Sequence, residues 1–147
     1  MDIHNIFLQA HRGFAYLILL LIAVFVIALI AAFAGNSGKI TKFLKKTTLF
    51  TMIFFHIQFL VGIVMLFLTS GFMNTINEIG MGGLMKNADL RFTYIEHPFS
   101  MLIAAILMTI VNRKVKSSEK ITSAIIILSA LALALFFFAL PFSKLFG

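Results

Sequence analysis

The sequence has no cysteine and no tryptophan, and charged residues make up only 12% of it while 61% are hydrophobic. Without cysteine there can be no disulfide, no thiolate metal ligand and no cysteine nucleophile. Soluble domains carry roughly 45–50% apolar and about 25% charged residues, so this composition lies outside the soluble class. With 147 residues the chain is one domain, with no room for a soluble catalytic domain beside its apolar segments. Histidine, aspartate and glutamate are left for metal or proton chemistry.

Four long apolar runs predict an all-α integral membrane protein, because a helix needs about 20 apolar residues to cross a bilayer. They are the approximate spans 13–34, 47–70, 92–111 and 121–140 of a single domain, residues 1–147. Only the third run is interrupted, by Glu96, His97 and Pro98 near its start. We therefore expect four transmembrane helices in contact with the lipid bilayer.

Short basic connections account for the formal net charge of +7, so we expect no nucleic-acid partner. Segments 35–46 and 112–120 hold eight of the twelve basic residues. Such loops stay cytoplasmic, which predicts both termini outside (N-out/C-out) in a bacterial inner membrane. Short connections also predict an antiparallel up-and-down four-helix bundle. We expect segment 71–91 to be the one long outer loop, flexible and apolar at residues 79–85, and lying either on the membrane surface or as a lid over the bundle. No convincing internal repeat is visible.

Two histidines within the apolar spans are candidate functional residues, because burying a polar side chain in a membrane costs free energy that packing does not return. His56 lies near the middle of the second span. It suits metal or cofactor ligation, proton transfer, or an interhelical hydrogen bond to a serine or threonine. His97 lies near the outer end of the third span. Pro98 beside it either falls in the first turns of its helix or kinks the helix and shapes a cavity.

Further polar residues gather at the expected outer end of the bundle. His11 directly precedes Arg12, and His4 lies seven residues earlier on the same helical face, where it is expected to be solvent-exposed. Glu96 is expected to pair with Arg91 or Arg12, or to deliver protons. Arg12, Arg91 and Lys86 are the candidates for binding the propionates of a cofactor.

Histidines on different helices of a membrane bundle predict haem b, since bundle cores build cofactor sites from side chains on facing helices. Two imidazoles on opposite faces of the macrocycle give an electron-transferring iron. The axial pair stays open among His11, His56 and His97. A site that uses all three, with His56 in a second function, is also open. Arg12 and Arg91 complete the candidate cofactor-binding set.

Three segments carry a family resemblance, at residues 10–16 (AHRGFAY), 55–62 (FHIQFLVG) and 90–97 (LRFTYIEH). They resemble a small four-span membrane family common in Bacteroidota, whose members are usually labelled cytochrome b. The resemblance covers nearly the whole chain. It implies a haem-binding bundle with three functional histidines, which correspond to His11, His56 and His97.

Three functions are therefore open. The first is electron transfer by a b-type haem, with quinol or a larger respiratory complex as partner. The second is copper or zinc handling through His11, His56 and His97, with Met52 and Met101 suited to Cu(I). The third is a non-enzymatic accessory or assembly subunit of a larger complex, and a homo-oligomer is compatible with each. No hydrolytic or transferase site is legible, so an enzymatic role would be a redox one.

Overall fold

The computed structural model describes residues 2–146, and these form six helices and no β-strand. The helices are α1 (Ile3–Gly35), α2 (Lys42–Leu68), α3 (Phe72–Lys86), α4 (Ala88–Ser117), α5 (Ser123–Ala139) and α6 (Phe142–Phe146). The all-α class predicted from the sequence is confirmed. By length and composition α1, α2 and α4 can each cross a membrane, which indicates a membrane protein, and α5 is a shorter apolar helix of 17 residues.

The core runs between α1, α2, α4 and α5. Along the chain, α1 packs on α2, α2 on α4, and α4 on α5. In the middle of the core, the rings of Phe55 and Phe136 stack with their centroids 5.1 Å apart. Beyond this stack a second group of buried side chains, including Phe25 and Val111, fills the end of the molecule that carries the basic connections. We call this the loop end, and the opposite end the histidine end.

The two basic connections contact each other through their main chains. Lys39 and Lys120 form an isolated antiparallel β-bridge. Its two hydrogen bonds are reciprocal, with lengths of 2.9 and 2.8 Å, and they join the amides of Ile40 and Ile121 to the carbonyls of Glu119 and Gly38, respectively. The loop end is therefore closed by paired backbone groups, which fixes the two hairpins against each other.

The two hairpins, α1–α2 and α4–α5, are built alike around this bridge. Each connection ends in the segment Lys-Ile-Thr, and each threonine caps the next helix: Thr41 accepts a hydrogen bond from the Leu44 amide, and Thr122 from the Ile125 amide. Counted from these threonines, five buried positions correspond: Leu44 and Ile125, Thr48 and Ser129, Thr51 and Ala132, Phe55 and Phe136, Gln58 and Ala139. Of these five pairs only the phenylalanines are identical, so beyond the Lys-Ile-Thr segments the correspondence is hard to see in the sequence.

Residues 79–85 of the outer segment 71–91 were expected to be flexible, but they lie within a helix, so that prediction is wrong. Helix α3 covers most of the segment and is broken at Gly80, whose φ of 70° and ψ of 169° are accessible almost only to glycine. The side chains of Phe72 and Leu84 are buried and hold the two parts of α3 against the rest of the molecule. Their burial outweighs the weak helix propensity of the glycines, about 1 kcal/mol each relative to alanine.

Helix α4 begins at Ala88, before the predicted start of the third span, and contains a π-helical turn at Phe92–Glu96. In this turn the His97 amide donates to the Phe92 carbonyl, five residues earlier. Pro98 follows at once, and a proline lacks the N–H of a normal helical bond and crowds the preceding turn. The wider turn accommodates it, so Pro98 lies within a continuous helix and not in its first turn.

Candidate functional site

The imidazoles of His11 and His97 lie next to each other, edge to face, at the histidine end. Their ring centroids are 5.9 Å apart and their planes are inclined by 66°. His11 comes from α1 and His97 from α4, so the pair joins corresponding helices of the two hairpins. Of the three histidines that the sequence singled out, the structure brings these two together.

His97 has a fixed ring orientation. Its Nδ1 lies 2.6 Å from the carbonyl oxygen of Ala139. A carbonyl only accepts hydrogen bonds, so Nδ1 donates, and the neutral ring keeps its lone pair on Nε2. The Ala139 carbonyl is available because α5 ends at this residue and Pro141 follows two positions later. The second hairpin thus holds His97 with Nε2 as the atom able to ligate a metal.

His11 lies against α2 and is held less completely. The side-chain nitrogen Nε2 of Gln58 donates to the His11 carbonyl over 3.0 Å. The ring edge of His11 packs on Gly62, where an added Cβ would come within 3.3 Å of its Cε1. Within residues 2–146, His11 Nδ1 and Gln58 Oε1 are both buried without a hydrogen-bond partner. The first hairpin therefore offers two unpaired polar atoms beside the histidine pair.

Two cavities, each of about 190 Å³, border the two imidazoles. Mostly apolar side chains line both of them, and both are bordered by His11, Gln58, His97 and Met101. The first cavity extends between α2 and the π-helical turn of α4. The second extends toward the end of α5 and α6. The histidine pair and its neighbours thus form a wall common to two apolar spaces.

The positive charges at these cavities differ from those expected. Arg12 lines the second cavity and donates to the Lys144 carbonyl over 3.1 Å, and Lys144 itself lines both cavities. Arg91 lines neither, because its guanidinium forms an ion pair of 2.7 Å with Glu96, the interfacial pair that the sequence analysis considered. Sequence reasoning did not select Lys144, although a basic residue just after Pro141 was a signal for it.

The other two histidines are engaged elsewhere. His56 lines neither cavity, and its Nδ1 lies 2.8 Å from the Met52 carbonyl. Its Nε2 lies 3.3 Å from the Thr109 hydroxyl on α4, which makes an interhelical hydrogen bond. His4, which had been expected to be exposed to solvent, is half-buried and contacts the Thr69 hydroxyl at 3.1 Å.

A multidentate metal centre of the ordinary kind is not formed. In the described chain, no group of three or more histidine, aspartate and glutamate side chains is close enough to hold a metal ion. The site consists of two imidazoles, with the thioether side chain of Met101 among the lining residues that both cavities share.

No family model, no curated protein and no solved structure matches the chain.

Proposed function

We propose that the protein is a membrane electron-transfer protein that would bind haem b between α1 and α4, with His11 and His97 as the residues that would hold its iron. The observation that carries this proposal is the pair of adjacent imidazoles, whose ring centroids are 5.9 Å apart. A metal–imidazole bond is about 2 Å long, so two rings on opposite sides of one metal ion have centroids about 6 Å apart. The four-span family that the sequence resembles implies His11, His56 and His97 as functional histidines, and this proposal uses two of the three.

The chain offers what this group requires of its surroundings. Pockets for organic ligands start at about 300 Å³, so a macrocycle needs both cavities and not one alone. Both cavities are bordered by the two imidazoles, so a flat group held by His11 and His97 would have to occupy both cavities. Arg12 and Lys144 at the cavities can pair with the propionates. The apolar lining limits the access of water, and Ala139 orients His97. Haem supplies one-electron redox chemistry when bound.

We further propose that α1, α2, α4 and α5 cross a bacterial inner membrane as an antiparallel bundle, with both termini outside. The distribution of charge supports this orientation, because eight of the twelve basic residues lie in or beside the two paired connections. The haem site then lies toward the outer face. Quinol dissolved in the bilayer, or a larger respiratory complex, is the electron partner in this proposal.

The test is an absorption spectrum of the protein purified from cells supplied with haem. We expect a low-spin Soret band that shifts when dithionite is added. His11→Ala and His97→Ala should each abolish the low-spin spectrum. His56→Ala is the matched control, because His56 lines neither cavity, and it should keep the spectrum. Colourless wild-type protein, or a spectrum lost only in the His56 variant, would overturn the proposal.

Met101 gives a second candidate function some support. It is buried and lines both cavities beside the two imidazoles. A thioether together with imidazoles suits Cu(I) better than zinc. If this function is correct, haem-free protein binds copper stoichiometrically, and Met101→Leu loses it. Metal analysis that finds no copper in the wild-type protein excludes it.

A further inference from the structure

The unpaired oxygen of Gln58 is an acceptor placed beside His11. Gln58 is buried, with 4% of its surface exposed. Because its Nε2 donates to the His11 carbonyl, the orientation of the amide is fixed and Oε1 is the atom left over. The unpaired Nδ1 of His11 can supply the missing donor. Both residues line both cavities, so the acceptor and the donor border the same spaces.

The packing of His11 turns its Nδ1 edge toward the same face of α2. A Cβ built on Gly62 would lie 3.3 Å from His11 Cε1 and 3.9 Å from Nδ1. Gly62 follows Gln58 by one helical turn, and residues four apart lie on one face of a helix. The missing side chain of Gly62 therefore lets the Nδ1 edge approach the surface of α2 that carries Gln58.

The internal repeat supplies an independent observation. Gln58 in α2 corresponds to Ala139 in α5, and the Ala139 carbonyl accepts the hydrogen bond from Nδ1 of His97. Helix α5 ends at Ala139, so its backbone oxygen is free, whereas α2 continues to Leu68 and its backbone carbonyl at Gln58 lies within a continuing helix. At the position in α2 that corresponds to Ala139, the side-chain oxygen of Gln58 is the unpaired acceptor that could do for His11 what the main-chain oxygen of Ala139 does for His97.

We infer that Gln58 is a positioning residue for His11. The two atoms do not bond each other directly in the structure, so Oε1 accepts the hydrogen of Nδ1 through one buried water and thereby holds the tautomer in which Nε2 carries the lone pair. Metal-ligating histidines generally donate their second ring N–H to an oxygen in this way. The inference rests on the proposed function for what Nε2 binds, but the tautomer of His11 is a property of the protein without haem.

The experiment compares the wild-type protein with Gln58→Leu and Gln58→Glu in lipid nanodiscs. In haem-free protein labelled with ¹⁵N-histidine, NMR reports the tautomer of each ring, and the His11 signal is assigned from its loss in His11→Ala. We expect Nδ1–H at His11 in the wild type and in the Glu variant, and loss of this preference in the Leu variant. The His97 signal is the internal control and should stay Nδ1–H in all three.

The same variants are then loaded with haem. Replacing an outer partner of a ligating histidine weakens metal binding about 10- to 100-fold, so the Leu variant should lose haem affinity by that factor and shift in reduction potential. The Glu variant should restore both. Gly62→Ala keeps Gln58 but brings a methyl group against the His11 ring, so it should also weaken haem binding. This variant replaces Gln58→Leu if the latter does not fold.

The outcomes separate the two proposals. If wild-type protein binds no haem but the His11 tautomer depends on Gln58, the haem proposal fails and the positioning role stands. If haem binds equally to wild type and Gln58→Leu and the tautomer is unchanged, the positioning role fails while the haem proposal stands. Weaker haem binding in Gln58→Leu with an unchanged tautomer also overturns the positioning role, because packing alone would then explain the loss.

Discussion

The two ends of the molecule differ in their backbone: the loop end is regular and paired, whereas the histidine end is irregular and contains cavities. At the loop end the connecting backbone is paired across the Lys39–Lys120 bridge, and each following helix begins at a threonine cap. At the histidine end the helices carry a π-helical turn, a break at Gly80 and two cavities. Buried atoms without partners also occur on Asn112 and Ser129, but those residues border neither cavity. Regular backbone fixes the frame, and irregular backbone makes room for the site.

The largest expected effect comes from the boundary between the ends. Phe136→Ala removes the stack on Phe55 and leaves a void next to the second cavity. We expect a loss of about 3 kcal/mol in the free energy of unfolding, measured by equilibrium unfolding in mixed micelles. Phe33→Ala, on the exposed face of α1, is the control and should change stability by no more than about 0.5 kcal/mol. Equal losses of unfolding free energy in the two variants would mean that the Phe55–Phe136 stack does not stabilise the packing between the two ends.

A smaller effect is expected at the break in α3. Gly80→Ala forces an alanine into the region at φ 70°, which should cost about 1–3 kcal/mol. Faster amide exchange in α3, measured by mass spectrometry, would report this local opening. Gly82→Ala is the matched control, because it has open space and no positive φ, and it should slow the exchange. If both alanines slow it, the break at Gly80 does not depend on glycine.

At the loop end, Thr41→Ala and Thr122→Ala should each lower the free energy of unfolding by about 1 kcal/mol, since each removes the side-chain acceptor of a helix cap. The internal repeat predicts nearly equal losses, and serine at either position should restore stability. Thermal unfolding of the four variants provides the measurement. A loss at one threonine only would show that the two connections are not equivalent.

The smallest effect is expected from the ion pair beside the site. The side chains of Arg91 and Glu96 are about one third exposed, so solvent screens their attraction. Arg91→Gln should cost less than about 1 kcal/mol of stability. It should also leave haem binding unchanged, whereas Arg12→Gln should weaken it if Arg12 pairs with a propionate. Haem titration of the two variants decides, and a larger loss in the Arg91 variant would contradict the cavity lining described above.

The helices were predictable from the sequence because length and apolar composition are local properties. The pairing of His11 with His97 was not, because it depends on how each helix is rotated about its axis. A π-helical turn just before His97 changes that rotation, and no pattern in the sequence indicated such a turn. The hydrogen bond of His56 to Thr109 was foreseen in kind but not in partner, since a serine or threonine on any neighbouring helix would have fitted.

At the glycines of α3 the prediction itself was wrong, because composition indicated flexibility where the chain is helical. Gly80, Gly82 and Gly83 suggested flexibility, but only Gly80 adopts a backbone conformation that requires glycine. Composition described the average preference of the segment, while the burial of Phe72 and Leu84 decided its structure.

The reciprocal bridge has a consequence for the order in which the chain folds. Each hairpin closes over a short connection, and contacts between residues close in sequence form fastest. The bridge joins residues from different hairpins, so it can form only after both connections have taken shape. We therefore expect docking of the hairpins to be a late step in folding, which would complete the space between His11 and His97 last. A cofactor bound there would add a link between the two hairpins, whose only covalent connection is α3 and the segments beside it.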